Sequence, residues 1–271
     1  MLAHVLGKPR SWVLAHPEAT LTEKQSQVWE ESLRLLERGI PLPYILGHWE
    51  FFGLDFIVTP AVLIPRPETE LLVEQAIAGC GMRIAESLPP AIHNPNSEIA
   101  WAAEVGTGSG CIAISLAVLL PNLQVIATDI SLPALQVARR NAHKHSVAER
   151  IHFVQTDLIS PFLSHASAPF HLICANLPYI PTRTLRALPV FGREPTLALD
   201  GGVDGLDCIR RILDDARRCL APDGLLLLEI EESQGEAARR LAGEAFPERE
   251  VGVLPDLAGR DRLLVVRTSD N

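Results

Sequence analysis

Ile99-Ala100-Trp101-Ala102-Ala103-Glu104-Val105, then Gly106-Thr107-Gly108-Ser109-Gly110, then an apolar run from Cys111 to Leu119: this order decides the fold. A β-type run, a glycine loop and a hydrophobic helix make up the opening unit of an α/β sheet that binds a nucleotide at the carboxyl ends of its strands. The glycine spacing is G-x-G-x-G, with Cys111 standing where a dinucleotide fingerprint read from Gly108 wants its last glycine, so the loop alone is a weak signal. The strands that follow strengthen it. Residues 124–128 form a second strand ending at Asp129, whose carboxylate can accept hydrogen bonds from ribose hydroxyls. Residues 151–155 form a third, leading to Thr156-Asp157-Leu158, which suits the edge of an adenine. Each aspartate also fits a helix N-cap after a strand. The expected ligand contacts are Gly106, Thr107, Gly108, Ser109, Gly110, Asp129, Asp157 and Leu158, converging in one crevice.

The fourth strand, Phe170-His171-Leu172-Ile173-Cys174-Ala175, runs straight into Asn176-Leu177-Pro178-Tyr179. Asn176 offers an amide donor and an amide acceptor, Pro178 lacks an N–H and holds Leu177 extended, and Tyr179 offers a flat face. Together they make a cradle for a planar nitrogen. The same four residues also fit a plain turn, where Asn and Pro abound.

The chain has 271 residues, more than one typical domain, so one large domain with a small appendage is expected. Its 47% hydrophobic and 21% charged residues suit a globular enzyme and exclude a disordered or fibrous chain. No apolar run approaches the ~20 residues that cross a bilayer, and Met1-Leu2-Ala3-His4 lacks the features of a signal peptide; a cytoplasmic protein is expected. Cys80, Cys111, Cys174, Cys208 and Cys219 are odd in number and form no C-x-x-C pair, which argues against a disulfide framework or a zinc site; no metal is expected. A formal charge of −9 opposes phosphate backbones and favours a protein or small-molecule substrate.

Residues 1–47 read as a small helical module. Thr22, with Gln25 three residues on, opens its longest helix, on which Trp29, Leu33 and Leu36 are spaced as core contacts, and Gly39, Pro41 and Pro43 end it. Residues 48–66 read as a connector holding a β-hairpin around Gly53. Pro65-Arg66-Pro67-Glu68 then precedes a helix starting near Thr69, and residues 83–99 read as a surface loop. Beyond Asn176 the pattern gives a helix from 207 to 220, a Pro222-Asp223-Gly224 turn, a strand at 225–230, a helix from 234 to 245, and a closing hairpin at 250–253 and 262–267 that supplies an antiparallel edge.

With these stretches assembled, the chain closely resembles the release factor glutamine methyltransferases over nearly its whole length. The resemblance rests on Leu63 to Glu70, Glu104 to Gly110, Asn176 to Tyr179, Glu194-Pro195, Gly201-Gly202-Val203-Asp204-Gly205-Leu206, Glu229 and Gln234. It implies an α/β, doubly wound, Rossmann-like methyltransferase sheet with an antiparallel terminal strand, spanning 67–271, plus the helical substrate-recognition module. It implies S-adenosylmethionine as cofactor, also touched by Asn176. It implies a class I release factor as partner, methylated on the glutamine of its Gly-Gly-Gln loop. Asn176, Leu177, Pro178 and Tyr179 become the catalytic and substrate-binding residues.

The family has proline where Leu177 stands, but the group needed there is a backbone carbonyl, which leucine keeps. The module also starts late, as if a first helix were missing before Leu2. A monomer without a nucleic-acid substrate is expected. Two other classes share parts of the pattern: a nucleic-acid adenine methyltransferase, whose cradle is similar but which the acidic charge and the helical module disfavour, and a nicotinamide-dependent oxidoreductase or non-catalytic nucleotide-binding module, which the glycine spacing and Asn176 disfavour.

Overall fold

The computed structural model describes residues 1–79, 100–163 and 170–268; the loop expected at 83–99 lies outside the described residues, as does Cys80. Four helices come first: α1 (Leu2–Leu6), α2 (Arg10–Ala15), α3 (Glu23–Glu37) and α4 (Leu42–Leu46). Thr22 and Gln25 close a reciprocal capping box at the start of α3. Leu33 was expected in a core and is exposed instead; on this helix only Ser32 is buried. The module is too thin for helical spacing to imply burial, since a lone layer of helices has solvent on most sides.

The hairpin follows as β1 (His48–Phe51) and β2 (Leu54–Ile57). Phe52 and Gly53 both take positive φ at its tip, as a two-residue turn matched to strand twist demands. Trp49 and Val58 pack with Tyr44 of α4, Val62, and Ala134 and Val137 of a later helix, so hairpin, module and main domain share one small core.

A single turn of 3₁₀ helix at Pro67–Thr69 then leads into α5 (Glu70–Gly79). The main sheet comprises β3 (Ala100–Val105), β4 (Leu123–Asp129), β5 (Ile151–Gln155), β6 (Phe170–Ala175), β7 (Leu220–Glu229), β8 (Arg249–Pro255) and β9 (Asp261–Thr268), in the order β5-β4-β3-β6-β7-β9-β8. Pairing is parallel throughout except that β9 runs antiparallel to both β7 and β8. The order reverses between β3 and β6, which makes their carboxyl ends the place for a ligand.

The strand residues alternate between two cores, as the pleat requires. Leu172 and Cys174 face α5 and α6 (Cys111–Leu119), while Ile173 and Ala175 face α9 (Asp207–Cys219) and α10 (Gly235–Ala245). Helix α7 (Leu132–Lys144) follows β4, and the short α8 (Thr182–Leu185) follows the cradle. The turn expected at Pro222-Asp223-Gly224 is a bulge inside β7: the register jumps from Phe170 opposite Leu220 to Leu172 opposite Leu225. The extra residues are accommodated without ending the strand because the hydrophobic run on either side stays in the sheet.

Candidate active site

The glycine loop joins β3 to α6 with Gly106, Gly108 and Gly110 all at positive φ. Beneath it lies Glu104, 1% exposed, which accepts hydrogen bonds from the Thr107 hydroxyl (2.5 Å) and the Ala113 N–H (3.0 Å). Burial pushes its carboxyl up to about 8, against those two bonds. A Cβ on Gly110 would meet Ile114 and Ala138 at 2.9 and 3.1 Å, so this glycine lets α6 approach α7. Gly110 is not among the residues that line the cavity described next; Gly108, with no neighbour inside 4 Å beyond its own loop, is.

That cavity, of about 280 Å³, opens at the carboxyl ends of β3, β4, β5 and β6. Its walls include Gly106, Thr107, Gly108, Ser109, Asp129, Asp157, Leu158, Asn176, Leu177 and Pro178, which brings nearly the whole expected set together. Asp129 holds two backbone donors, the Gly108 N–H on Oδ2 (2.9 Å) and the Ser131 N–H on Oδ1 (2.8 Å). Each oxygen keeps a further lone pair, a pattern that fits a vicinal diol. Burial raises the Asp129 carboxyl, opposed by those N–H bonds. Asp157 turns its carboxylate to Arg211, at 2.6 Å, with both side chains about half exposed. Leu158 sits in the left-handed region at φ 53°, a conformation that costs a leucine free energy and turns its backbone at the cavity wall.

The cradle is fixed from behind. Asn176 donates from Nδ2 to Thr69 Oγ1 at 3.0 Å. Tyr179 is not in the cavity wall; its hydroxyl donates to Glu229 Oε1 at 3.3 Å. The Tyr179 carbonyl accepts from Gln234 Nε2 (2.9 Å), Ile180 donates to the Leu199 carbonyl (3.1 Å), and Gly201 donates to the Ile180 carbonyl (2.9 Å). Glu229 is 2% exposed, and burial pushes it up to about 7 against the pull of Thr69, Arg262 and Tyr179. Burial, then the Glu229 charge, raises the Tyr179 phenol as well.

Arg66 pairs with the buried Glu194 at 2.5 Å, and the Ile64 N–H adds a bond to the same carboxylate, tying the connector to the segment after the cradle. Asn141 of α7 was not foreseen. Fully buried, it accepts from the Ile57 N–H (2.7 Å) and donates to the carbonyls of Ile57 (3.0 Å) and Ser109 (2.9 Å), stitching the hairpin to the glycine loop.

Comparison with known proteins settles the family. The profile of the PrmC N-terminal domain matches residues 1–47 and that of a methyltransferase domain matches 102–189. A release factor glutamine methyltransferase of Moorella thermoacetica is 45% identical over 258 residues, spanning 95% of this chain and 84% of that one. The chain belongs to the release factor glutamine methyltransferase family.

The Chlorobaculum tepidum release factor glutamine methyltransferase is 39% identical over 268 residues, covering 97% of this chain and 86% of its own. Among solved structures, a Pyrococcus furiosus methyltransferase superposes with a TM-score of 0.53 at 16% identity (81% and 91% of the two chains). The N-terminal domain of human METTL16 in complex with SAH gives 0.55 at 17% (90% and 82%). At such identities these two speak for the methyltransferase fold alone. Membership makes this chain a methyltransferase. Among the described residues no helix is long and apolar enough to cross a membrane.

Proposed function

We propose that this chain transfers a methyl group from S-adenosylmethionine to the side-chain amide nitrogen of the glutamine in the Gly-Gly-Gln loop of a class I peptide chain release factor, as a cytoplasmic monomer. The observation that carries the reading is the shared cavity: Asn176, Leu177 and Pro178 line the same space as the glycine loop and Asp129. The relatives named above are release factor glutamine methyltransferases along nearly the full chain, which supports the same substrate here.

The residues present fit the cofactor. The free lone pairs of Asp129 suit the ribose diol, Leu158 and Ile130 offer apolar walls for adenine, and Gly108 leaves room that a Cβ would fill. When bound, S-adenosylmethionine supplies an electrophilic methyl group. An amide nitrogen is a poor nucleophile, so the protein must hold it in line and polarise it. Asn176 Oδ1 and the Leu177 carbonyl accept the two hydrogens of a primary amide, which selects an unsubstituted target. The remaining Asn176 Nδ2 hydrogen can donate to the target oxygen, the other being committed to Thr69. No dedicated base is needed, because a protonated amide gives its proton to water.

In the same reading, residues 1–47 recognise the release factor, 48–66 connect, and 67–271 catalyse. DNA and RNA adenine are not substrates, in keeping with a charge of −9. Incubation with methyl-labelled cofactor tests this: label is expected in release factor, and label in an oligonucleotide but not in release factor overturns it.

A further inference from the structure

Beneath the cradle lies a buried carboxylate that the mechanism above leaves unused. In the parallel ladder Ala175 faces Leu228, so Glu229 follows at the end of β7 alongside Asn176 at the end of β6. Its Oε1 takes the Tyr179 hydroxyl, and its Oε2 is buried without a completed hydrogen bond. The Thr69 hydroxyl, 2% exposed, faces this carboxylate and at the same time accepts from Asn176 Nδ2.

The polarity of these contacts determines which end of the Asn176 amide reaches the cavity. A threonine hydroxyl has one proton and two lone pairs; a carboxylate only accepts. With Glu229 ionised and drawing the Thr69 proton, the lone pairs of Thr69 are what Asn176 meets. Only Nδ2 can face them, so Oδ1 is left to the cavity that Asn176 lines. Were the amide turned over, Oδ1 would oppose a lone pair and the cavity would present N–H groups, which cannot accept a hydrogen from a substrate amide.

We propose that Glu229 is a positioning residue for methyl transfer: acting through Thr69, it fixes Asn176 with its oxygen toward the target nitrogen. Thr69 is the link and Tyr179 the clamp that holds the carboxylate in place. The inference deepens the function proposed above and rests on it for the identity of the target.

Glu229→Gln tests the polarity without changing volume. The Tyr179 hydroxyl holds the new amide oxygen, so the new NH₂ points toward Thr69, whose proton then turns to Asn176 Oδ1 and reverses the chain. Loss of one preorganised group of this kind lowers turnover by about 10²–10³-fold when it touches the reacting atoms, so an indirect effect of about 10–100-fold on kcat is expected. KM for release factor and Kd for S-adenosylmethionine should stay within about threefold of wild type. Thr69→Val should match Glu229→Gln, Thr69→Ser should retain wild-type turnover, and the double variant Thr69→Val/Glu229→Gln should be no slower than Thr69→Val alone.

The side-chain NH₂ of Asn176, identified in nuclear magnetic resonance spectra by its loss in Asn176→Asp, reads the arrangement without turnover. One of its protons should be protected from solvent exchange in wild type and in Thr69→Ser, and unprotected in Glu229→Gln and Thr69→Val. Wild-type turnover with retained protection in Glu229→Gln overturns the proposal, as do additive losses in the double variant. If wild type fails to methylate release factor while the protection pattern follows as described, the function assignment falls and the positioning role stands.

Discussion

Gly205→Ala is the sharpest probe of how the cradle is held. A Cβ built on Gly205 would lie 2.2 Å from the Tyr179 carbonyl oxygen, 2.5 Å from Gln234 Nε2 and 3.1 Å from the Tyr179 carbonyl carbon. Real Cβ contacts need well over 3 Å, so the Tyr179 carbonyl must retreat by about 1 Å, and Gln234, which donates to that oxygen at 2.9 Å, must move with it. The residue also sits at φ 80°, where a side chain adds about 1–2 kcal/mol of strain. Displacement of about 1 Å in a positioning element can cost about 10²-fold in rate. Tyr179 is three residues from Asn176 on the same segment, so single-turnover methylation of release factor should fall by that order. Equilibrium titration with S-adenosylmethionine should change little, because Asp129 and Gly108 are held by other bonds. A folded Gly205→Ala protein with wild-type rate would refute the idea that the segment around Gly205 holds the cradle in place.

Other expectations follow from the same geometry. Asp129→Ala removes the carboxylate proposed to hold the ribose and two backbone anchors from the loop, and should weaken cofactor binding by about 1–3 kcal/mol in a calorimetric titration. Asn176→Asp keeps the size but loses the NH₂, and should slow single-turnover methylation by about 10²–10³-fold while cofactor affinity survives. Asn141→Leu strands the Ile57 N–H and two carbonyls, and should cost about 3 kcal/mol in urea unfolding. Glu104 and Glu229 are raised to about 8 and about 7, so the folded protein holds protons that the unfolded chain has lost above about pH 4.5. Their contribution to stability is therefore present at low pH and lost as pH rises toward 8. Glu104→Gln should flatten the decline of melting temperature between pH 5.5 and 8.

Much of this was legible because it is local. The runs at 151–155 and 170–175 coincide with β5 and β6 residue for residue; β6, a central parallel strand, is a nearly continuous apolar run, while β5 at the sheet edge is marked by β-type residues around its polar ones. Asp129 and Asn176 could be placed for the same reason: the carboxyl end of a strand is defined by where that run stops. What could not be read is pairing across the chain. Asn141 bonds a strand 84 residues earlier, and Asn176 meets Thr69 across 107 positions. Nothing in spacing distinguishes Asn141 or Thr69 from an ordinary helix residue. Glu229 and Gln234 were visible only as points of family resemblance, and their work behind the cradle emerges from the fold that brings β7 beside β6. Leu33 failed in the opposite sense, carrying helical periodicity on a helix with no deep core to meet.

The central claim is that the cradle and the cofactor crevice act together on a primary amide of release factor. Its most direct test is methylation of a purified class I release factor with S-adenosylmethionine, followed by peptide mass spectrometry of the product. The account predicts a single added methyl group on the side-chain nitrogen of the Gly-Gly-Gln glutamine, absent with the Asn176→Asp enzyme. A methyl group on any other residue, or one that appears as readily with Asn176→Asp, would contradict it.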